Sequence, residues 1–243
     1  MSSSLFHTLN ISRQDILGRL NALDVTSNNL ANINTAGYKT NRSNFQAIFS
    51  QQLKEGAQLK NTQLQTAQGN LRDSTNPLDW AVQGEGFFSV TLPDGTIGYT
   101  RDGQFGLDAD LKLVTAGGYP LIWDGTIVDG MKDINISQEG KVTALDAKGI
   151  SVAVGTVQLT RFPNPSGVTS RGDNILLESD ASGAAQVGAA GAENYGTINA
   201  YRVEQSNINI AREITQLKSV TMSIKAFQQT DTMISQAINL RKA

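Results

Sequence analysis

Apolar side chains recur on two different periods along the chain, and the period changes where glycine and proline begin. Near the N-terminus, Phe6, Leu9, Ile16, Leu20, Leu23 and Leu30 follow a 3-4 spacing, with Leu9, Ile16, Leu23 and Leu30 seven residues apart. This predicts a helix with a coiled-coil-like stripe. Arg13 and Ser27 interrupt the stripe, and Gly18 weakens the helix by about 1 kcal/mol relative to alanine. Such a helix needs partners. At the other end, Ile210, Ile214, Leu217, Ile224 and Ile238 share one stripe, with Val220, Phe227 and Ile234 beside it. No glycine or proline follows Gly196, so this segment predicts a second helix, about 45 Å long. Two amphipathic ends fit either a helical hairpin on a globular body or stripes that bury against neighbouring copies.

Between the ends the period becomes two. Phe88, Val90 and Leu92 alternate before the turn Pro93-Asp94-Gly95, and Leu111 and Leu113 alternate before Gly117-Gly118. Ile134 and Ile136, Val142 and Ala144, then Ile150, Val152 and Val154 continue the pattern. All five prolines and 19 of the 23 glycines fall between positions 77 and 196, so short strands with frequent turns are expected there. No helical run of crossover length separates them, which favours antiparallel pairing. The expected fold class is α+β: N- and C-terminal helices pairing as a coiled-coil-like inner domain, with a central antiparallel β-rich domain. The expected organisation is a helix and turn over 1–40, an extended connector over 41–75, a β-rich body over 76–200 and a helix over 201–243. Residues 180–196, small and glycine-rich, read as a loop.

Composition narrows the chemistry. The absence of cysteine removes disulfides, thiol nucleophiles and cysteine-ligated metals, and the single histidine, His7, has no second histidine with which to share a metal. Twenty basic against 22 acidic residues leave a formal charge of −2, without the footprint of a nucleic-acid binder. No apolar run approaches the roughly 18 residues of a membrane span, and the first ten residues lack the basic and apolar regions of a signal peptide. Asp108 and Asp110, with Glu139 further on, are the acid pair a glycosidase would need, but their setting is that of a turn. Lys112 and Leu113 occupy positions five and six of what would be a calcium loop, where an acid or amide and a glycine are required. Gly84-Glu85-Gly86 precedes a strand and reads as a turn, not a phosphate cradle. Trp80 and Trp123, set beside apolar residues, read as core side chains. No catalytic, metal or cofactor site is expected.

The sharpest signal follows the first helix: Leu23-Asp24-Val25-Thr26-Ser27-Asn28-Asn29-Leu30-Ala31-Asn32-Ile33-Asn34-Thr35-Ala36-Gly37-Tyr38-Lys39. Amides and a threonine can satisfy helix-end carbonyls, and Gly37 permits the positive φ that often follows a helix. This run resembles the N-terminal signature of bacterial flagellar rod and hook proteins. Similar stretches follow in order: Asn76-Pro77-Leu78-Asp79-Trp80 through Phe88, Tyr99-Thr100-Arg101-Asp102-Gly103, Gly117-Gly118-Tyr119-Pro120, Phe162-Pro163-Asn164-Pro165, and Glu204-Gln205-Ser206-Asn207. The sequence departs from the family pattern at Tyr201-Arg202-Val203, where a glycine is usual, and across 219–227 of the C-terminal helix.

The resemblance implies a structural rod subunit of the basal body, distal first and proximal second, assembled helically around an axial export channel and passing torque to the hook. It implies contacts with copies of itself, other rod subunits, the hook subunit and the ring proteins. Delivery would be by the flagellar type III export apparatus without a cleavable signal, with no nucleic acid, membrane insertion or cofactor involved. The helix positions Leu9, Ile16, Leu20, Leu23, Leu30, Ile210, Ile214, Leu217, Ile224, Phe227 and Ile234 are the expected assembly residues, and Asn28, Asn29, Ala31, Asn32, Thr35, Gly37 and Tyr38 the family-motif turn. The alternative is a secreted adhesin or glycan-binding module on a coiled-coil stalk.

Overall fold

The computed structural model describes the backbone of residues 2–47 and 57–240, and the side chains of residues 17–42, 63–225, 228, 229 and 232. The chain divides into two compact units: 1–31, 41–63 and 208–243 form the first, and 32–40 with 64–207 the second.

In the first unit, helix α1 (Ser2–Ala31) is followed by strands β1 (Asn41–Ala47) and β2 (Ala57–Leu64), which pair, and the chain ends in helix α2 (Ile210–Leu240). The two helices pack together, and Asn29 is buried between neighbours from both directions of the chain. Its amide donates to Asn41 O (2.9 Å) and to Glu213 Oε2 (3.4 Å), and its Oδ1 accepts the Asn41 N–H (3.0 Å). Thr26, Glu213 and Val220 are buried as well. Asn209, just before α2, accepts the Arg212 N–H through Oδ1 at 3.1 Å, a helix cap.

The second unit holds the remaining strands. These are β3 (Leu71–Asp73), β4 (Trp80–Gln83), β5 (Phe88–Thr91), β6 (Ile97–Thr100), β7 (Phe105–Leu107) and β8 (Leu113–Thr115). Then come β9 (Lys132–Ile136), β10 (Lys141–Leu145), β11 (Ser151–Thr156), β12 (Gln158–Arg161), β13 (Thr169–Gly172) and β14 (Ile175–Leu177). Last are β15 (Gln186–Ala189), β16 (Thr197–Ala200) and β17 (Arg202–Glu204). Local antiparallel pairings build β5–β6, β7–β8, β9–β10–β11 and β13–β14, whereas β3 pairs with β17 and β4 with β16, joining the start of the unit to its end. Most of the alternating residues read from the sequence face inward: Phe88, Val90, Leu92, Leu113, Ile134, Ile136, Val142 and Ala144 are buried, whereas Leu111 and Val154 are half-buried and Ile150 and Val152 are exposed. Trp80 and Phe88 both lie against Phe105, with ring centroids 5.4 and 5.2 Å away, and Trp80 has no accessible surface. Trp123 is half-buried against the same core.

The expected α+β fold is corrected by this arrangement. Among the described residues, seventeen strands in seven small sheets stand against two helices, so the chain is mostly β, and no leucine seam joins the helices. The reason is physical: the buried positions of the helical pair include the polar Thr26, Asn29 and Glu213, while Leu20, Leu30, Ile210 and Ile214 keep 38–51% of their surface in water. Among the described residues, burial in the helical pair falls on Thr26, Asn29, Glu213 and Val220 rather than along the leucine stripe. The 180–196 stretch is also more than a loop, because β15 within it pairs with β12 from Gln158↔Ala189 to Arg161↔Gln186. Small residues there hide the strand period. The polar stretch after residue 56 supplies β2 and β3.

Candidate functional site

The signature covers residues 23–31, the last of α1, in the first unit and the turn from Asn32 in the second. Asn28 is exposed and Asn29 is buried within the helix, tying α1 to Asn41 and Glu213, and Ala31 ends the helix exposed. From Asn32 the residues belong to the second unit. The Thr35 N–H donates to Asn32 O (3.1 Å) and its hydroxyl to Asn32 Oδ1 (3.2 Å), closing the turn. Gly37 then adopts φ +66°, and a Cβ there would lie 2.4 Å from both Arg101 C and Asp102 N. Only glycine fits without moving backbone. The Gly37 N–H donates to Glu204 O (2.7 Å), the Asn174 amide donates to Ala36 O (2.5 Å), and the Ser206 hydroxyl to Ile33 O (2.6 Å). Tyr38 is half-buried and its carbonyl accepts the Asn207 N–H at 3.3 Å.

Beneath this turn lies a buried charge cluster. Lys39 Nζ donates to Glu204 Oε1 (2.6 Å) and Ala67 O (2.9 Å); Arg101 reaches Glu204 Oε2 (3.4 Å) and Gly84 O (2.7 Å). Glu204 Oε1 also accepts the Gly69 N–H at 2.8 Å. The guanidinium stacks 5.0 Å from the centre of the Phe87 ring, a cation–π contact, and its Nε has no hydrogen-bond partner among the described residues. Burial pushes the Lys39 ammonium below its ordinary value, and the Glu204 carboxylate pulls it back. Arg101 is lowered by burial in the same way, against the pull of Glu204 and Glu85. Asp102 is pushed up to about 6, first by burial and then by the like charge of Asp79, against a hydrogen bond from the Gln104 N–H. Asn207 completes the seam: its Oδ1 accepts from the Thr40 N–H (2.8 Å) and hydroxyl (2.6 Å), and its amide donates to Gln65 O and Ala67 O.

The sequence marks the turn but not Lys39, Arg101, Glu204 and Asn207 as a working group. Each lies inside one of the family-like stretches, and Lys39 is the first charge after an uncharged run from Val25 to Tyr38. That isolation was the available signal. Of the helix positions, Leu20, Leu30, Ile210 and Ile214 are exposed and Leu23, Leu217 and Ile224 half-buried. The side chains of Leu9, Ile16, Phe227 and Ile234, and of His7, lie outside the described residues. Leu17 and Met222, which the stripes omit, are exposed at 50% and 69%. The acid pair forms a turn, with Asp108 Oδ1 accepting the N–H groups of Asp110 (2.9 Å) and Lys112 (2.7 Å), and Glu139 pairs with Lys141 in solvent.

Residues 19–39 match the family model described as flagella basal body rod protein, and residues 81–144 that described as flagellar hook protein FlgE/F/G D1 domain. The flagellar basal-body rod protein FlgG of Caulobacter vibrioides is 34% identical over 245 residues, covering 90% of this chain and 93% of the relative. The chain belongs to the flagellar basal-body rod protein family. Two other FlgG proteins agree: that of Borreliella burgdorferi is 31% identical with 90% and 93% covered, and that of Agrobacterium fabrum 34% identical with 88% and 91% covered. As a member of the rod family the chain is a structural subunit of the flagellar basal body. The rod-family match ends at Lys39, the first member of the buried charge cluster, and the hook-type D1 match contains Arg101. Among the described residues, no helix is long and apolar enough to cross a membrane.

Proposed function

We propose that this chain builds the distal rod as a helical array of its own copies around an axial export channel and carries torque to the hook. Other rod subunits, the hook subunit and the ring proteins are its neighbours in this reading, and the flagellar type III apparatus delivers it. The observation that carries the proposal is the apolar surface left in water on both helices, at Leu20, Leu30, Ile210 and Ile214. Each such side chain, 38–51% exposed, contributes roughly 1 kcal/mol when the rest of it is buried in a contact. A contact between two different patches that does not close on itself propagates as a filament, which is what a rod requires.

The half-buried Leu23 and Leu217 lie on the same helices. Leu23→Asp or Leu217→Asp is expected to block rod assembly and motility while the second unit stays folded. Electron microscopy of basal bodies from a deletion strain, complemented with each variant, reads this directly. A rod truncated near its outer end supports the distal position and one truncated near its base a proximal one; normal rods and swimming in both variants refute the role.

A further inference from the structure

The second unit is shut by its last strands. β17 pairs with β3 through Glu204↔Leu71, Val203↔Arg72 and Arg202↔Asp73, and β16 pairs with β4 from Trp80↔Ala200 to Gln83↔Thr197. Trp80, Ala81 and Val82 of β4 have no accessible surface, so part of the core has β16 as its lateral neighbour. Residues just beyond β17 add further ties, with the Gln205 N–H donating to Asn70 O (2.8 Å) and Asn207 bridging Thr40, Gln65 and Ala67.

The two buried cations depend on the same stretch. The side chains of Lys39 and Arg101 are each 3% exposed, that of Glu204 is fully buried, and among the described residues Glu204 is the one carboxylate within ion-pair distance of either. It lies 165 residues after Lys39 and 103 after Arg101. Until Glu204 arrives, both cations must stay hydrated or be buried with no carboxylate in ion-pair contact and only the more distant Glu85 to attract them, a penalty that weighs heavily on a marginally stable domain.

We infer that residues 197–207 act as a closing strap and that the Glu204 carboxylate gates closure: the second unit stays open, with Lys39 and Arg101 in water, until the strap docks. A chain built this way cannot lock its N-terminal turn until nearly all of it is available. That suits a subunit delivered unfolded, and this use rests on the export reading proposed above, whereas the gate itself does not.

The test uses the full-length chain as wild type, Glu204→Gln, Lys39→Met and Lys39→Met/Glu204→Gln. Unfolding and refolding are followed by the fluorescence of Trp80 and Trp123, both in the second unit. Glu204→Gln is expected to lower the folded-to-unfolded ratio roughly 10²- to 10³-fold, with refolding slowed by most of that factor. Adding Lys39→Met, which removes one of the unpaired cations, is expected to restore at least about tenfold of the ratio. Three results overturn the gate: a Glu204→Gln ratio within about threefold of wild type, a double variant no better than Glu204→Gln, or loss confined to faster unfolding at the wild-type refolding rate. If Glu204→Gln does not fold at all, a double variant that folds supports the gate and one that does not overturns it. A normal gate in a protein that fails to reach the rod counts against the export reading alone.

Discussion

Replacing Gly37 by alanine separates two costs that coincide at this position. The first is conformational: at φ +66° an L-residue with a Cβ gives up about 1–2 kcal/mol. The second is steric, because the new methyl lies 2.4 Å from Arg101 C and Asp102 N and 2.7 Å from Arg101 O. Those are backbone atoms, held in place by the buried Arg101 side chain and by the core next to Gly103. Moving them costs about 1–3 kcal/mol. The unfolded chain returns about 0.4–1 kcal/mol through its lower entropy, leaving a net loss of about 1–4.6 kcal/mol, centred at about 3. Gly95 is the control, since its φ is +80° and nothing lies within 4 Å of a Cβ built there. Gly95→Ala then carries the conformational cost alone, a net loss of about 0–1.6 kcal/mol. Guanidinium unfolding followed by tryptophan fluorescence gives both numbers, provided the transition slopes match that of wild type. Equal midpoint shifts for the two variants would refute the steric argument, and an unshifted Gly37→Ala would refute both parts. Gly37→Val, bulkier and β-branched, is expected to lose more than alanine and to leave cells without rods.

Three further outcomes are expected. The folded chain holds the Asp102 proton more tightly than the unfolded one, with a value of about 6 against 3.8, so stability falls as pH rises from about 4 to 6, by at most about 3 kcal/mol. Melting temperatures across that range should show the fall in wild type and a flatter profile in Asp102→Asn; parallel profiles would remove Asp102 as the cause. Tyr201 is 42% exposed at φ +57°, so Tyr201→Gly should leave stability unchanged or raised by up to about 1 kcal/mol; a loss beyond about 1 kcal/mol would mean that its side chain holds the fold. Asn29→Ala strands the half-buried Asn41 N–H and the buried Glu213 carboxylate of the first unit. It should cost about 1–3 kcal/mol, read as faster hydrogen exchange at Asn41, and unchanged exchange would discount the contact.

Legibility in the sequence followed the size of the physical signal. Both helices were readable because apolar spacing and the absence of glycine and proline after Gly196 act over some thirty residues, and α2 ends only at Leu240. The inward strand residues were readable because a sheet with one buried face alternates. β15 was not, since Gln186-Val187-Gly188-Ala189 gains its order from pairing with β12 rather than from its own side chains. The fold class was misjudged where a heptad pattern was equated with a seam. Periodicity records which residues share a helix face, not whether that face is covered within the same chain. The charge cluster was hidden for a different reason: Lys39, Arg101 and Glu204 are brought together by contacts across 103 and 165 residues, and no local pattern encodes such a distance.

The exposed helix stripes and the buried turn cluster meet opposite demands on a rod subunit. Had Leu20, Leu30, Ile210 and Ile214 been sealed in a seam between α1 and α2, four of the exposed apolar side chains of these helices would be lost to a neighbour. Instead the described polar contact between the helices is a 3.4 Å hydrogen bond from Asn29 to Glu213, and a hydrogen bond to a charged group is worth about 1.5–3 kcal/mol net. Burying what remains exposed of two of these residues, 38–51% of each, gains roughly 1 kcal/mol each and so about as much in total. Rearranging the helical pair to suit a neighbour is therefore favourable once the neighbour is present and unfavourable without it. The second unit has no such latitude, because opening its charge cluster leaves Lys39 and Arg101 without Glu204. Assembly defects should accordingly map to α1 and α2 without loss of the β-rich unit, and folding defects to the turn, Arg101 and the strap.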